Sequence, residues 1–276
     1  MASIVQLWKQ NLESQHKGEL IVLKAEYPKK SSLTININNT APELFDAIVA
    51  DPIMAENALY SAIMEGKYIP AWNGSKHTIN IRFIGFPHRI RVSDLNSKNL
   101  EKFTSLRVVV KKVTTVKPRL VYAAFKCNAC KEKVVYVPVE EDDVIPPQEK
   151  CLCGGRSWRF MLKTSIKKDY QTILVQDPAE DGAGTKSQTL TVKLLDDLTG
   201  KVQPGNIIVI NGIYRGQQKK QSATLETYLD AKSVEITNKD FTKIEISEEE
   251  IHEFEELAKN PEIYGMLWSS VGSVVK

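Results

Sequence analysis

The chain contains only four cysteines, and they form two close pairs, Cys127-Asn128-Ala129-Cys130 and Cys151-Leu152-Cys153. Zinc takes four thiolates at tetrahedral corners, and paired knuckles supply two ligands each from tight turns. Gly154-Gly155 provides the permissive backbone that such a turn requires. Between the pairs lie a strand-like run, Val134 to Val139, and an acidic, proline-containing stretch, Glu140 to Pro147, with the character of an exposed loop tip. The spacing therefore predicts a structural zinc ion held by Cys127, Cys130, Cys151 and Cys153. Four free thiols, or two disulfides in an oxidising compartment, remain the alternatives. A catalytic zinc is disfavoured, because four thiolates leave no position for water, and the His-x-Glu and Pro-Cys-x-x-Cys signatures of a deaminase are missing.

Around this module the pattern changes from helical to β and back. Residues 1 to about 75 read as helical: Pro42 to Val49 with Thr40 as N-cap, then a helix opened by Asp51-Pro52 whose apolar face would be Ile53, Met54, Leu59, Ile63 and Met64, with Gly66 at its end. Leu33 to Ile37 alternates like a short strand. From His77 onward the β-like runs are Ile79 to Ile84, Leu106 to Val116, Tyr170 to Val175, Thr189 to Leu195, Ile207 to Tyr214 and Ala223 to Ile236. Short runs separated by turns such as Thr199-Gly200 and Pro204-Gly205 suggest a small barrel. Ser247 to Glu250 forms a capping box, followed by a stripe of Ile251, Phe254, Leu257 and Ala258.

Charge is informative only where it clusters, since 37 basic residues face 34 acidic ones for a net +3. Leu106 to Lys133 is rich in Lys and Arg, including Lys112, Lys117 and Arg119. A second run, Arg215-Gly216-Gln217-Gln218-Lys219-Lys220, joins two β-like segments and reads as a hairpin tip. Both suit contact with DNA phosphates, although a solvated face is the plain alternative. Tyr122, Phe125, Tyr170 and Tyr214 suit a core as well as a stacking platform, which favours phosphate contacts over base readout. Gly182 to Ser187 resembles the end of a phosphate-binding loop but has Glu180 where a Walker A glycine is required. No apolar run is long enough to span a membrane, and the start lacks a signal peptide's features. The expected location is intracellular, in the cytoplasm or with the nucleoid.

Four segments, read in order, resemble the amino-terminal region of minichromosome maintenance (MCM) helicases of the archaeal type. They are Ile90 to Leu95, Val108 to Val113, Thr115 to Arg119 and Ala124 to Cys130. After the cysteines, Tyr170 to Pro178 is similar to the family's Tyr/Trp-Gln and Gln-Glu-x-Pro stretch, and Asp196-Asp197-Leu198 with Val202 to Asn206 to its Asp-Leu and Pro-Gly-Asp segments. The resemblance implies an α+β architecture: a helical bundle (1–90), an OB-fold barrel (91–122 plus 163–245), a zinc-binding insertion (123–162) and a helical linker (246–276) toward an absent AAA+ motor. It also implies a homo-oligomeric ring, a hexamer or double hexamer, around single- or double-stranded DNA. Tyr214 to Ala223 would be the DNA-binding hairpin, and Pro178 to Gln188 the loop that communicates with the motor. ATP and magnesium would belong to the motor, so the chain alone would be no enzyme although the full-length protein would be an ATP-dependent helicase. The alternative is a free-standing OB-fold and zinc-ribbon protein that binds single strands or acts as an adaptor. Two departures stand out: Glu101 and Arg107 occupy places where the family usually has glycine, and the second knuckle has one spacer residue.

Overall fold

The computed structural model describes residues 4–27, 31–66, 79–87, 89–139, 143–178, 188–218 and 223–237, with 262–265 and 268 from the carboxyl-terminal part. Residues 1–237 form one compact unit and 238–276 another. The capping box at Ser247 and its apolar stripe lie outside the described residues. Among the described residues, no helix is long and apolar enough to cross a membrane.

The first part is helical, with α1 (Ile4–Gln15), α2 (Lys17–Glu26), α3 (Pro42–Ala50) and α4 (Pro52–Glu65). Proline at the first turn starts both α3 and α4, where its missing N–H costs nothing. The Asp51 carboxylate caps α4 by accepting from the Met54 N–H at 2.9 Å. Thr40 is not the N-cap of α3. Ala41 holds that place, and the Thr40 hydroxyl instead closes the preceding turn by donating to the Ile37 carbonyl. The apolar face of α4 is also rotated from the expected one. Ala55, Leu59, Ala62 and Ile63 are buried, whereas Ile53, Met54 and Met64 are exposed. The two alanines let the helix approach its neighbours closely, which bulkier side chains at those positions would prevent.

Strands β1 (Ser32–Asn36) and β2 (Asn80–Ile84) pair in parallel. Trp8, Leu12, Ile35, Leu44, Leu59, Ile81 and Phe83 form the core beneath them. The second core lies inside a closed five-stranded barrel made of β3 (Phe103–Val113), β7 (Ile166–Gln176), β8 (Thr189–Leu195), β9 (Ile207–Gln218) and β10 (Leu225–Ile236). The order is β3-β9-β10-β8-β7, and β7 pairs back onto β3. This α+β architecture with an OB-like barrel agrees with the fold class read from the sequence.

Strand β4 (Lys117–Cys127) leaves the barrel and carries the chain outward. Its first half pairs with β7, and its second half with β5 (Val134–Pro138) and β6 (Trp158–Phe160). The sequence reading named neither β4 nor β6 as a strand. Lys117, Pro118 and Arg119 open β4 and Ala123-Ala124 sit in its middle, so the β-branched alternation that marks a strand is diluted.

Candidate metal centre and nucleic-acid interface

Strands β4, β5 and β6 bring both cysteine pairs to one point. The four sulfurs lie within 4.8 Å of one another. Cys127 Sγ is 3.7 Å from Cys153 Sγ, and Cys130 Sγ is 3.8 Å from Cys151 Sγ. Sulfurs bound to a tetrahedral zinc at about 2.3 Å would stand about 3.8 Å apart, so the donor set and its spacing fit that ion. All four cysteines are free of disulfides.

The backbone prepares the sulfurs as ligands. The Lys133 and Glu132 N–H groups hold the Cys130 thiol down to about 6, and the Cys130 and Ala129 N–H groups likewise lower Cys127. Cys151 also receives a lowering bond from the Cys153 N–H, yet burial and the three neighbouring sulfurs together push it up to about 11. A bound cation would favour the thiolate form of all four sulfurs and displace their protons. Lys131 and Gly154, each directly after the last cysteine of its pair, both adopt a left-handed backbone.

The basic residues divide into three groups. Lys112 and Lys117 are exposed where β3 passes into β4, the two strands following one another along the edge of β7. Arg119 and Arg215 meet in a pocket of about 440 Å³ on the outer face of the barrel, with Lys193, Tyr228, Glu101 and Asp230. Lys219 and Lys220 lie outside the described residues. The Arg119 guanidinium stands 4.9 Å from the Tyr170 ring centre, and the Lys193 ammonium 3.5 Å from that of Tyr228. Arg215 is not at a hairpin tip. Strands β9 and β10 stay paired as far as Gln218 and Leu225, which leaves Arg215 within the ladder opposite Tyr228. There it is bracketed by Glu101 and Asp230, each at 3.9 Å.

The aromatic residues also sort themselves. Phe125 and Tyr214 are buried, whereas Tyr122, Tyr170 and Tyr228 are partly exposed. The sequence reading did not single out Tyr228 or Lys193, because their meeting depends on the parallel pairing of β8 with β10. No local pattern reports such a long-range register.

A family model, the MCM OB domain, matches residues 91–218. The minichromosome maintenance protein of Saccharolobus solfataricus is 27% identical over 231 residues, covering 80% of this chain and 33% of that protein. The crystal structure of the N-terminal domain of an archaeal MCM superposes with a TM-score of 0.76 at 24% identity, covering 85% of this chain and 98% of that one. The chain is an MCM amino-terminal region. A further relative, the DNA replication licensing factor mcm7 of Schizosaccharomyces pombe, is 30% identical over 217 residues, 67% of this chain and 28% of that protein. The chain thus spans about a third of the length of the curated relatives it matches.

Within this MCM region Asp177 is a further residue with a defined task. Its carboxylate accepts from the Val92 and Ser93 N–H groups at 2.7 and 3.0 Å, which fixes the chain where the stretch Pro178 to Gln188 begins. Residues 179–187 of that stretch lie outside the described residues.

Proposed function

We propose that this chain is the DNA-holding, ring-forming amino-terminal module of an intracellular replicative helicase, with 1–90, 91–122 plus 163–245, 123–162 and 246–276 as its parts. In this reading Cys127, Cys130, Cys151 and Cys153 hold a structural zinc ion, which ties the ends of β4, β5 and β6 into one rigid arm. The full-length protein would hydrolyse ATP in a separate motor, and this chain would supply grip and assembly.

The observation that carries the DNA assignment is the distribution of cations over the barrel. Lys112 and Lys117 are exposed where β3 passes into β4. The long β9–β10 ladder leads directly into the Lys219-Lys220 pair. Arg119 and Lys193 border the pocket on the outer face of the barrel. Flexible ammonium groups on strand ends meet phosphates without reading bases, so many sequences would be held alike. Arg215, already flanked by two carboxylates, would contribute less than its neighbours.

Titration of labelled oligonucleotides tests this. The double variant Lys219→Ala, Lys220→Ala is expected to bind single strands and duplexes of unrelated sequence several-fold more weakly, with an unchanged thermal transition. Wild-type affinity in that variant would remove the hairpin from the DNA-binding surface.

A further inference from the structure

The second cysteine knuckle is one residue shorter than the first, yet it delivers its two sulfurs to the same tetrahedron. In the first knuckle the Lys131 N–H bonds to the Cys127 carbonyl at 3.1 Å, and the Cys127 N–H to the Lys133 carbonyl at 3.0 Å. In the second the Gly154 N–H bonds to the Cys151 carbonyl at 2.8 Å, and the Cys151 N–H to the Gly155 carbonyl at 2.9 Å. The loop therefore closes two residues after its last ligand, and Gly155 lies directly against the opposite knuckle. A Cβ built on Gly155 would stand 2.9 Å from Ala129 Cβ, 3.3 Å from Cys127 Sγ and 3.4 Å from Cys153 Sγ. Ala129 is the second spacer residue of the first knuckle, so its methyl group cannot swing away without moving the backbone between two ligands.

We propose that the lack of a side chain at Gly155, where the opposite knuckle packs against it, is what lets the short knuckle complete the metal site. Gly155 acts through distance and not through backbone freedom. Its φ lies outside the left-handed region, whereas Gly154, at φ +83°, has open space where a Cβ would go. The two adjacent glycines thus have separate tasks: Gly154 turns the chain, and Gly155 admits the other knuckle. Any side chain at 155 forces the sulfur pairs apart and opens the shell to water. This proposal rests on the zinc assignment made above.

The experiment loads the purified chain with cobalt(II) as a spectroscopic stand-in for zinc and measures zinc affinity by chelator competition. Strong ligand-field bands of a four-sulfur tetrahedral site are expected for the wild-type chain. Gly155→Ala should weaken those bands and lower zinc affinity by about tenfold to a hundredfold, the range seen when the groups that orient metal ligands are disturbed. Ala129→Gly alone should retain both properties. Combined with Gly155→Ala, it should restore much of the loss, because the 2.9 Å approach is then removed. Gly154→Asn, a residue that tolerates the left-handed region, should keep the wild-type spectrum. Unchanged affinity and spectrum in Gly155→Ala, or no rescue by Ala129→Gly, would overturn the proposal while leaving the ligand set intact. A wild-type chain that takes up no metal would instead refute the zinc assignment, and this proposal with it.

Discussion

Glu101 has φ +59° just before the first barrel strand. A left-handed backbone costs an L-residue about 1–2 kcal/mol. The conformation is imposed by the backbone on either side, since the Glu101 N–H bonds to the Tyr214 carbonyl at 2.7 Å. The carboxylate gains little in return, because its contact with Arg215 is long and more than half exposed. Glu101→Gly should therefore stabilise the chain by up to about 1.6 kcal/mol, after allowing about 0.4–1 kcal/mol for the freer unfolded state. Glu101→Ala keeps the Cβ and should give no such gain. Denaturant midpoints decide the matter, and a Glu101→Gly midpoint at or below that of wild type rules out relief of strain. Asp196 also has a positive φ, but Asp tolerates this region better and its carboxylate is engaged.

That engagement belongs to β2, the element that ties the helices to the barrel. Arg82, almost fully buried, donates to the Asp197 carboxylate and to the Lys232 carbonyl, the latter at 2.9 Å. Asn80 donates to Asp196 at 2.7 Å, and Lys168 lies 3.1 Å from the same carboxylate. On the far side Lys232 pairs with Glu56 of α4 at 2.8 Å. Burial works against the charge of Asp196, but the Asn80 amide and the Lys168 ammonium more than offset it and hold the carboxyl below its usual range. Lys168 is pulled down as well, because its burial outweighs the attraction of Asp196. The carboxylate therefore benefits more from the pair than the lysine does. A depressed folded-state pKa means that Asp196 stabilises the fold above the unfolded value of about 3.9, and that this stability fades as pH falls through the folded value. Asp196→Asn should thus be less stable than wild type at pH 7, and the gap should close as the pH falls well below that unfolded value. A gap of equal size at both ends of the titration would exclude the ionised carboxylate as its cause.

Legibility in the sequence follows the same division between local and distant causes. Strands β8, β9 and β10 carry enough β-branched and apolar residues to be read directly, and the cysteine spacing announces its own cluster. The prolines at 42 and 52 marked two helix starts for a local steric reason. The closing pair of the barrel, β3 with β7, lies beyond any window of sequence, as do the meeting of Lys193 with Tyr228 and the salt links of Arg82. The sequence points to the wrong face of α4 because Ala55 and Ala62 carry little hydrophobic signal, yet both are buried. Arg215 looked like part of a basic tip because the ladder continues through Gly216 and Gln217, residues with weak strand propensity.

At the scale of the whole molecule, the proposed ring implies several chains on one DNA, and salt dependence can count them. The logarithm of affinity falls with that of salt by about 0.9 per phosphate neutralised on duplex DNA. A single chain brings two lysines at 219 and 220, so removing both can lower the slope by at most about 2. Six chains around one duplex present six such pairs, and even partial engagement should lower it by well over that limit. The slopes of the wild-type chain and of Lys219→Ala, Lys220→Ala, measured across the same salt range, therefore report the assembly as well as the contact. Light scattering supplies the independent check, with a ring expected at six or twelve times the 31.1 kDa of one chain. A particle of single-chain mass with and without DNA, together with a slope change of 2 or less, would leave a barrel that binds DNA alone and would overturn the ring.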